Sequence, residues 1–292
     1  MRIVLTLVEY DLARYARLQR PTFERFYADL DATTIVTRSR DVSLMRSALR
    51  AFPRVEVLDE REVVPERVLQ WDPRPQRRDR KSEPTSWFFQ QLVKLAAVAA
   101  LDDKFVLVLD GDVIAVAPVS DADLVIDGRG LRAIEPVQYP AWVNWAAETL
   151  GLPPLTYQAA VTPAVMSPDA VRSLAAFTET HVSVHGPRLR AAARVPGLRR
   201  LATSWRGRLL GHKWTEYQLY DTFLVGTGQF ESFHLSAPGM LLSANEVHSR
   251  DDFAVWSPQA SSTGKHFFSV VQSRAEIPVE DVEARLRSAA LL

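Results

Sequence analysis

The stretch FVLVLDGDVIAV, residues 105–116, sets the fold class of this chain. Its first half is an unbroken apolar run of valine, leucine and phenylalanine, which is typical of a strand buried on both faces of a parallel sheet. Comparable runs at 3–8, 33–37 and 55–58 alternate with segments whose apolar residues recur at helical spacing. This alternation predicts an α/β fold in which a central, mostly parallel sheet is flanked by helices.

The C-terminal half is less regular, although it contains the same two kinds of element. Short apolar runs on either side of Gly128 and Gly130 indicate a β-hairpin. Other elements are predicted from apolar spacing and from start signals such as a proline in the first turn of a helix. We expect strands at 124–126, 131–134, 157–166 and 267–272, and helices at 142–150, 168–178, 215–224 and 278–291.

Composition excludes several classes of protein. The chain has 292 residues, of which 47% are hydrophobic, so it can bury a sizeable core and is not intrinsically disordered. It has no cysteine, which excludes disulfides, cysteine-bound zinc and a thiol nucleophile. No apolar run is long enough to span a bilayer, and the first residues lack the apolar segment of a signal peptide. We therefore expect a single cytoplasmic domain over 1–292.

Charge is balanced overall but unevenly placed. The 35 basic residues match the 35 acidic ones, which argues against a general nucleic-acid binder. Residues 181–215, however, contain eight basic residues and no acidic one, and a second basic cluster lies at 74–81. Either these stretches are solvated loops, or they face an anionic partner such as phosphates, a lipid-linked substrate or a membrane surface.

Two aspartates follow the central strand. Asp110 and Asp112 are two residues apart, so in an extended chain their carboxylates would point the same way. Open α/β sheets bind ligands at the carboxyl ends of their strands. Hard oxygen ligands suit Mg²⁺ or Mn²⁺, which complete their coordination with substrate phosphates. The alternative is a polar turn that closes the strand, because Asp-Gly is a common turn pair.

The helix predicted at 87–101 has a narrow polar face. Apolar residues cover most of its surface and leave Gln90, Gln91 and Lys94 together. In a mostly buried helix these groups need hydrogen-bond partners, which a phosphate or a sugar hydroxyl would provide. The alternative is a stripe that faces solvent.

The segment HKWTEYQLYDTFL, residues 212–224, predicts a capped helix. Thr215 and Gln218 have the spacing of a capping box, which puts Glu216 in the first turn. A carboxylate there is kept ionised by the helix dipole, and we expect it to be exposed. It would suit an acceptor-hydroxyl ligand or a general base, and the alternative is simple helix capping.

These motifs together carry a resemblance. The order W-x-x-Q-Q-x-x-K-L, strand, D-x-D and then W-T-E-Y-x-L-Y resembles bacterial glycosyltransferases of the GT-A fold, of the capsule and natural-product type. The resemblance covers about residues 3–273 and includes VEYD after the first strand and FFSVVQS near the end. It implies a Rossmann-like GT-A domain with a nucleotide-sugar half at about 1–120 and an acceptor half at about 121–292. The basic insertion at 181–215 would then face the acceptor.

The resemblance also implies roles for particular residues. Asp110 and Asp112 would hold Mn²⁺ or Mg²⁺ and, through it, the donor diphosphate, with His248 or His266 as a further metal ligand. Glu216, on the acceptor side, and Asp112 would be the catalytic residues. The donor, with UDP as the favoured nucleotide, would contact Thr6, Glu9, Tyr10, Arg38, Gln90, Gln91, Lys94, Asp110 and Lys265.

The activity implied is metal-dependent transfer of a sugar from a nucleotide diphosphate to an acceptor hydroxyl or amine. The acceptor would be a small molecule, a saccharide or a lipid-linked molecule, with no role for nucleic acid and with peripheral membrane contact through 181–215. Retention and inversion both stay open. Trp142, Trp145 and Trp214 are candidates for stacking on sugar rings, or else pack in the core.

Three alternatives remain. The first is a nucleotide-sugar-binding protein without transfer activity, and the second is a metal-dependent hydrolase or phosphatase, which would need more ligands near Asp110. The third is an NAD(P)-dependent oxidoreductase, because Gly128, Gly130 and Ala133 spell G-x-G-x-x-A. That fingerprint requires a helix that begins at the glycines, and Pro136 interrupts one almost at once.

Overall fold

A computed structural model describes residues 1–69, 84–181, 214–238, 246–258 and 266–292. The basic cluster at 74–81 and almost all of the 181–215 insertion lie outside these ranges. The strands are β1 Arg2–Thr6, β2 Thr33–Thr37, β3 Val55–Asp59, β4 Val106–Leu109, β5 Val113–Ala115, β6 Val125–Ile126, β7 Arg129–Glu135, β8 Gln158–Ala159, β9 Ala164–Met166, β10 His234–Pro238 and β11 Phe268–Val270.

Helices alternate with the strands of the first half, as predicted. A π-helical turn, Tyr15–Gln19, joins the first two helices. The helices are α1 Leu12–Arg14, α2 Arg20–Phe26, α3 Val42–Leu49, α4 Glu60–Val63, α5 Glu66–Leu69, α6 Pro84–Ala99, α7 Asp121–Leu124, α8 Pro140–Leu150, α9 Pro168–His181, α10 Glu216–Gly226, α11 Phe230–Phe233, α12 Arg250–Val255 and α13 Val279–Ser288.

The central sheet has the strand order β3-β2-β1-β4-β9. Its first four strands are parallel, and β9 pairs with β4 in the antiparallel direction. Along β4, Leu107 and Leu109 face one apolar core, which includes Phe23 of α2, whereas Val106 and Val108 face another, which includes residues of α6 and α10. Burial on both faces explains why β4 reads as a continuous apolar run. The predicted α/β class is confirmed.

The second half contains a smaller sheet in the order β10-β7-β6, with β8 also paired to β7. Asp127 and Gly128 form the two-residue turn between β6 and β7, with φ of 51° and 73°. Positive φ at both positions is typical of a type I′ hairpin, for which Asp-Gly is a preferred pair. The predicted hairpin is confirmed. The dinucleotide fingerprint is wrong, because β7 and not a helix continues from Gly130.

Two elements differ from the prediction. The strand expected at 157–166 is two short strands, β8 and β9, which belong to different sheets and are separated by a segment that contains the cis Thr162–Pro163 bond. Helix α10 is buried along its whole length from 216 to 224, although it carries several polar residues. The helix predicted at 215–224 is confirmed, but it packs against α6, α8 and α9, so its first turn is buried and not exposed as expected. Within the described ranges, no helix has the length and apolar character needed to cross a bilayer.

Candidate functional site

The D-x-D motif lies in a tight turn at the carboxyl end of β4. The strand ends at Leu109, and the backbone N–H of Val113 donates to the carbonyl of Asp110 over 3.3 Å. The backbone from Asp110 to Asp112 is therefore not extended, which corrects the geometry expected for the two carboxylates. The turn still keeps them within electrostatic range, because the charge of Asp110 contributes to a raised pKa at Asp112.

The glycine of this turn allows a close approach to the segment that follows β1. A Cβ on Gly111 would lie 2.8 Å from Cδ2 of Leu7 and 3.8 Å from Cβ of Asp11. The first distance is shorter than van der Waals contact, so a side chain at 111 would require the Leu7 side chain or the turn itself to shift. Gly111 thus brings the D-x-D turn beside the acidic segment after the first strand.

Lys94 connects three of the segments that the sequence motifs singled out. Its side chain is only 2% exposed, and its ammonium donates to Asp110 and, over 2.7 Å, to Oε1 of Glu216. The hydroxyl of Tyr217 lies 3.5 Å away. Burial alone would lower the pKa of Lys94, but the charges of Asp110 and Glu216 outweigh it and hold the pKa well above its usual value. Lys94 is therefore a buried cation shared by two carboxylates.

Glu216 is not exposed, contrary to the expectation for the first turn of its helix. Its side chain is fully buried, and Oε2 has no hydrogen-bond partner among the described residues. Burial raises the pKa of Glu216 despite the opposing charge of Lys94. The reason is tertiary: α10 enters the core, where the Glu216 N–H meets Oε1 of Gln91 at 3.4 Å.

Of the capping box predicted for α10, the structure has the N-cap bond of Thr215 but not the reciprocal bond of Gln218. The hydroxyl of Thr215 accepts the Gln218 N–H over 3.0 Å, as an N-cap should. The Gln218 side chain does not close a capping box, because its Oε1 accepts the backbone N–H of Ala159 over 2.9 Å. This bond ties the start of α10 to β8.

Asp112 and Asp11 form a crowded acidic pair beside this centre. The Asp112 carboxylate accepts the Ser273 N–H over 3.3 Å, and burial together with the charge of Asp110 raises its pKa to about 6. The Asp11 carboxylate accepts the Val8 N–H over 3.0 Å, and burial, with a contribution from the charge of Asp112, raises its pKa to about 7. Sequence reasoning missed Asp11, although VEYD placed an acid directly after the first strand.

These carboxylates fit a divalent cation. Burial is the largest cause of the raised pKa values of Asp11 and Asp112, and neighbouring carboxylates raise them further, while Lys94 is shared between Asp110 and Glu216. Arg14 is a second buried cation here: its guanidinium donates to the carbonyl of Val271 at 2.9 Å, and its charge lowers the pKa of both Asp11 and Asp112. Two cations, Lys94 and Arg14, therefore face four carboxylates, those of Asp11, Asp110, Asp112 and Glu216. Within the described part of the chain no three His, Cys, Asp or Glu side chains form a metal-binding group. An ion held by Asp110 and Asp112 would therefore complete its shell with phosphate and water oxygens, as Mg²⁺ commonly does.

His248 lies at the Asp112 end of this region. The neighbouring Val247 forms a bridge with Val271, whose N–H donates to the carbonyl of Asp112. Nε2 of the imidazole lies 2.9 Å from Oε2 of Glu246, and the side chain is more than half exposed.

His266 lies at the opposite end of the β5–β11 ladder. The next residue, Phe267, accepts the backbone N–H of Val116, just beyond the end of β5, whereas the D-x-D turn precedes the start of β5. Of the two candidate histidines, only His248 has a backbone neighbour that is linked to Asp112, and its imidazole contacts Glu246.

The predicted donor-facing residues are brought together in part. The Gln90 amide donates to the Thr6 hydroxyl over 2.7 Å, which joins α6 to the end of β1. Glu9 and Tyr10 are exposed just beyond, Tyr10 by 62%. Arg38 is half-buried at the end of β2. Gln91 points inward to α10, and Lys265 lies outside the described residues.

The three tryptophans proposed to stack on sugars occupy different environments. Trp214 is buried and Trp145 packs against the core. Trp142 stacks on the half-exposed ring of Tyr139, with the ring centroids 4.4 Å apart. The Tyr139 N–H donates to Oε1 of Gln158. Gln158 precedes Ala159, the residue of β8 that donates to Gln218 of α10. Trp142 and Trp145 are therefore both partly exposed, whereas Trp214 is not.

Residues 3–291 match the family of unknown function DUF6492. The chain belongs to this family. No curated protein matches it.

Solved structures similar to this DUF6492 chain carry glycosyltransferase names. They include apo mouse xyloside xylosyltransferase 1, at 13% identity and a TM-score of 0.47 over 95% of this chain and 99% of that one. The galactosyltransferase LgtC with donor and acceptor sugar analogues has 9% identity and a TM-score of 0.49, over 99% of this chain and 96% of that one. An active-site mutant of LgtC has 9% identity and a TM-score of 0.51, over 99% of this chain and 96% of that one. At such identities the likeness concerns the fold alone, and the LgtC mutant, whose TM-score exceeds 0.5, agrees with the GT-A-like architecture.

A second polar cluster in this DUF6492 chain is fully enclosed. Arg132 on β7 donates through Nε to Asp221 on α10 over 2.9 Å, and both side chains are at most 1% exposed. Beside them the Tyr220 hydroxyl meets Nε2 of His234 at 2.7 Å. Burial and then the charge of Arg132 lower the pKa of His234 to about 3, so its ring is neutral. This cluster pairs one cation with one anion and is away from the sheet edge.

Proposed function

We propose that this protein is a metal-dependent glycosyltransferase that moves a sugar from a nucleotide diphosphate to an acceptor hydroxyl or amine. The observation that carries the proposal is the meeting of Lys94, Asp110 and Glu216 at the carboxyl edge of a GT-A-like sheet. Asp112 and Asp11 add negative charge there that Arg14 and Lys94 compensate only in part. A cation and the phosphates that it bridges would balance this charge.

Each residue of the site has a separate task in this proposal. Asp110 and Asp112 would hold Mn²⁺ or Mg²⁺, which when bound would neutralise charge on the leaving diphosphate. Lys94 fixes the Asp110 carboxylate through a buried hydrogen bond and adds positive charge behind it. Glu216 holds Lys94 and is a positioning residue, because its buried carboxylate is enclosed by α6 and α10 and reaches no acceptor.

The donor would lie along the edge formed by Thr6, Gln90 and the segment after β1. The bond between Gln90 and Thr6 fixes this surface, and Tyr10 exposes an aromatic ring beside it. An exposed ring at this position suits stacking on the base of a nucleotide, for which we favour UDP.

The acceptor would approach from the second half of the chain. The stacked pair of Tyr139 and Trp142 offers an apolar face of the kind on which sugar rings pack. The basic insertion at 181–215 leads directly into α10, which supports an acceptor-facing position and an anionic or lipid-linked acceptor. A cytoplasmic location with peripheral membrane contact, and the capsule or natural-product type, belong to the same proposal, as does the division into halves at about residue 120.

A screen for donors tests the proposal. Nucleotide-diphosphate sugars are added with and without Mn²⁺, and thermal stability is measured. We expect at least one of them to stabilise the protein only with the metal, because a ligand that binds the native state shifts the melting temperature. If no nucleotide-diphosphate sugar stabilises the protein, either with or without Mn²⁺, the donor site is refuted. Incubation of the hits with saccharide and lipid-linked acceptors, followed by mass spectrometry, then detects transfer.

A second candidate is a nucleotide-sugar-binding protein without transfer activity. The burial of Glu216 favours this candidate, because a buried carboxylate cannot act as the general base that the sequence predicted. Metal-dependent release of nucleoside diphosphate from the bound donor separates the two. Release that exceeds the rate without protein supports a transferase, and tight binding without release supports a binding protein.

A further inference from the structure

A cavity lies on the face of the central sheet opposite α6. Its volume is about 360 Å³, and its walls include Ile3, Leu5, Phe23, Leu30 and Leu109. This volume is within the range of small-molecule sites, and the apolar walls are typical of them. The cavity does not include the residues of the proposed donor site.

Two residues that line the cavity have a buried polar atom without a hydrogen-bond partner among the described residues: Nε of Arg20 and Oε1 of Gln19. Gln19 is 1% exposed and lines the cavity, and its Oε1 has no hydrogen-bond partner among the described residues. Its amide nitrogen donates to the carbonyl of Asp110 over 2.9 Å, which fixes the orientation of the side chain. A buried acceptor without a donor costs about 1–3 kcal/mol, so a donor on a ligand would find a prepared partner here.

The backbone at Gln19 is also unusual. Gln19 ends the π-helical turn Tyr15–Gln19 between α1 and α2. Such turns occur frequently at functional sites, because the widened turn shifts side chains out of the regular helical positions. Here the turn directs Gln19 to the place where the cavity approaches the D-x-D turn.

The mouth of the cavity is positively charged. Arg20, Arg25 and Arg54 line it with a single acid, Glu24. Glu24 pairs with Arg20 at 2.7 Å, so two positive charges are in excess. Arg25 and Arg54 are exposed, which places the opening at the amino ends of β2 and β3, the edge of the sheet opposite Asp110.

We propose that this cavity binds a small amphiphilic carboxylate that carries a hydroxyl at the end remote from the carboxyl group. The apolar walls would take the hydrocarbon or aromatic body. The hydroxyl would donate to Oε1 of Gln19, and the carboxylate would lie at the arginines of the mouth. The site is distinct from the donor edge and does not depend on the proposed transferase activity.

Three related probes test the proposal by calorimetric titration of the full-length protein. They are 3-(4-hydroxyphenyl)propionate, 3-phenylpropionate, which lacks the hydroxyl, and 3-phenylpropanol, which also lacks the carboxylate. We expect the first to bind with one-to-one stoichiometry, the second more weakly and the third most weakly. Saturating UDP with Mn²⁺ should not compete. Absence of binding by the hydroxylated carboxylate, or equal binding of all three, overturns the proposal.

Two variants locate the binding. Ala28 is an exposed lining residue, so Ala28→Trp should fold and should obstruct the mouth, which abolishes binding. Arg54→Gln should weaken binding of the carboxylate about fivefold, since an exposed ion pair contributes little more than that. Arg50→Gln, an exposed position that does not line the cavity, is the matched control and should bind as the unmodified protein does. Unchanged binding by Ala28→Trp would place the probe elsewhere and refute the site.

Discussion

Two buried ion clusters share helix α10 but differ in their charge balance. The closed pair, Arg132 with Asp221, joins one cation to one anion inside the second half of the chain. The edge cluster consists of Lys94, shared by Asp110 and Glu216, with Asp112 and Asp11 beside it. Arg14 is the second cation of the edge cluster, so two cations face four carboxylates there. Burial raises the pKa of Asp112 and Asp11, as it also does for Asp221 in the closed pair, so the clusters differ in their count of charges.

The difference separates structure from function. A balanced buried pair has no net charge for a ligand to neutralise, although Oδ2 of Asp221 has no hydrogen-bond partner among the described residues. An excess of carboxylates at the ligand-binding edge of a sheet is costly to the apo protein and is stabilised by a cation. We therefore expect substitutions in the closed pair to affect mainly stability and substitutions in the edge cluster to affect mainly binding and transfer.

The largest effect on stability is expected for Arg132→Met. It leaves Asp221 buried and unpaired, which typically costs about 3–5 kcal/mol in the free energy of unfolding. Urea denaturation measures this change. The double variant Arg132→Met/Asp221→Leu should recover most of the loss, because it removes the charge as well. Loss of donor affinity in the folded double variant would contradict the separation of the two clusters.

For Asp112→Asn we expect the largest effect on transfer. The rate should fall by about 10²–10³, the usual cost of removing a charge stabiliser from an active site. The unfolding free energy without metal should not fall, because the ionised Asp112 is disfavoured in the native protein. Asp102→Asn, at an exposed position before β4, is the matched control and should retain the full rate.

Lys94→Met distinguishes positioning from charge. It should destabilise the protein, because Glu216 is left buried without its cation. The double variant Lys94→Met/Glu216→Gln should recover stability while transfer stays low, since Asp110 still lacks its donor. Recovery of transfer together with stability would mean that Lys94 serves the fold alone.

A smaller effect concerns pH in the absence of divalent ions. The pKa of Asp11 is raised from 3.8 to about 7, so the native state binds more protons than the unfolded state between these values. Its contribution to stability is therefore present at low pH and is lost as pH rises toward 7. Asp11→Asn should raise the melting temperature, relative to the unmodified protein, more at about pH 7 than at about pH 5. An equal difference in melting temperature at both pH values would show that the pKa of Asp11 is not raised by its neighbours and its burial.

The smallest effect is expected in the basic insertion, 181–215. Replacing several of its arginines with glutamine should raise the KM for an anionic acceptor, because the charge attracts it, and should leave donor affinity unchanged. Steady-state kinetics at low and high salt measures this. Unchanged acceptor kinetics would assign the stretch to solvated surface.

Sequence reasoning predicted the parallel sheet because its strands are buried on both faces and therefore apolar throughout. It also brought Lys94, Asp110 and Glu216 into one hypothesis. It could not predict that Glu216 is buried, since local rules place first-turn acids at the surface and only the packing of α10 overrides them. Asp11 was missed for a similar reason: its proximity to the D-x-D turn depends on Gly111, a contact distant in sequence.

The most direct test of the central claim is calorimetric titration of UDP into the protein with and without Mn²⁺. The account predicts binding that requires the metal, persists in Arg132→Met/Asp221→Leu and is lost in Asp112→Asn. Metal-dependent binding that survives in Asp112→Asn, or that is lost only when the closed pair is changed, would contradict it.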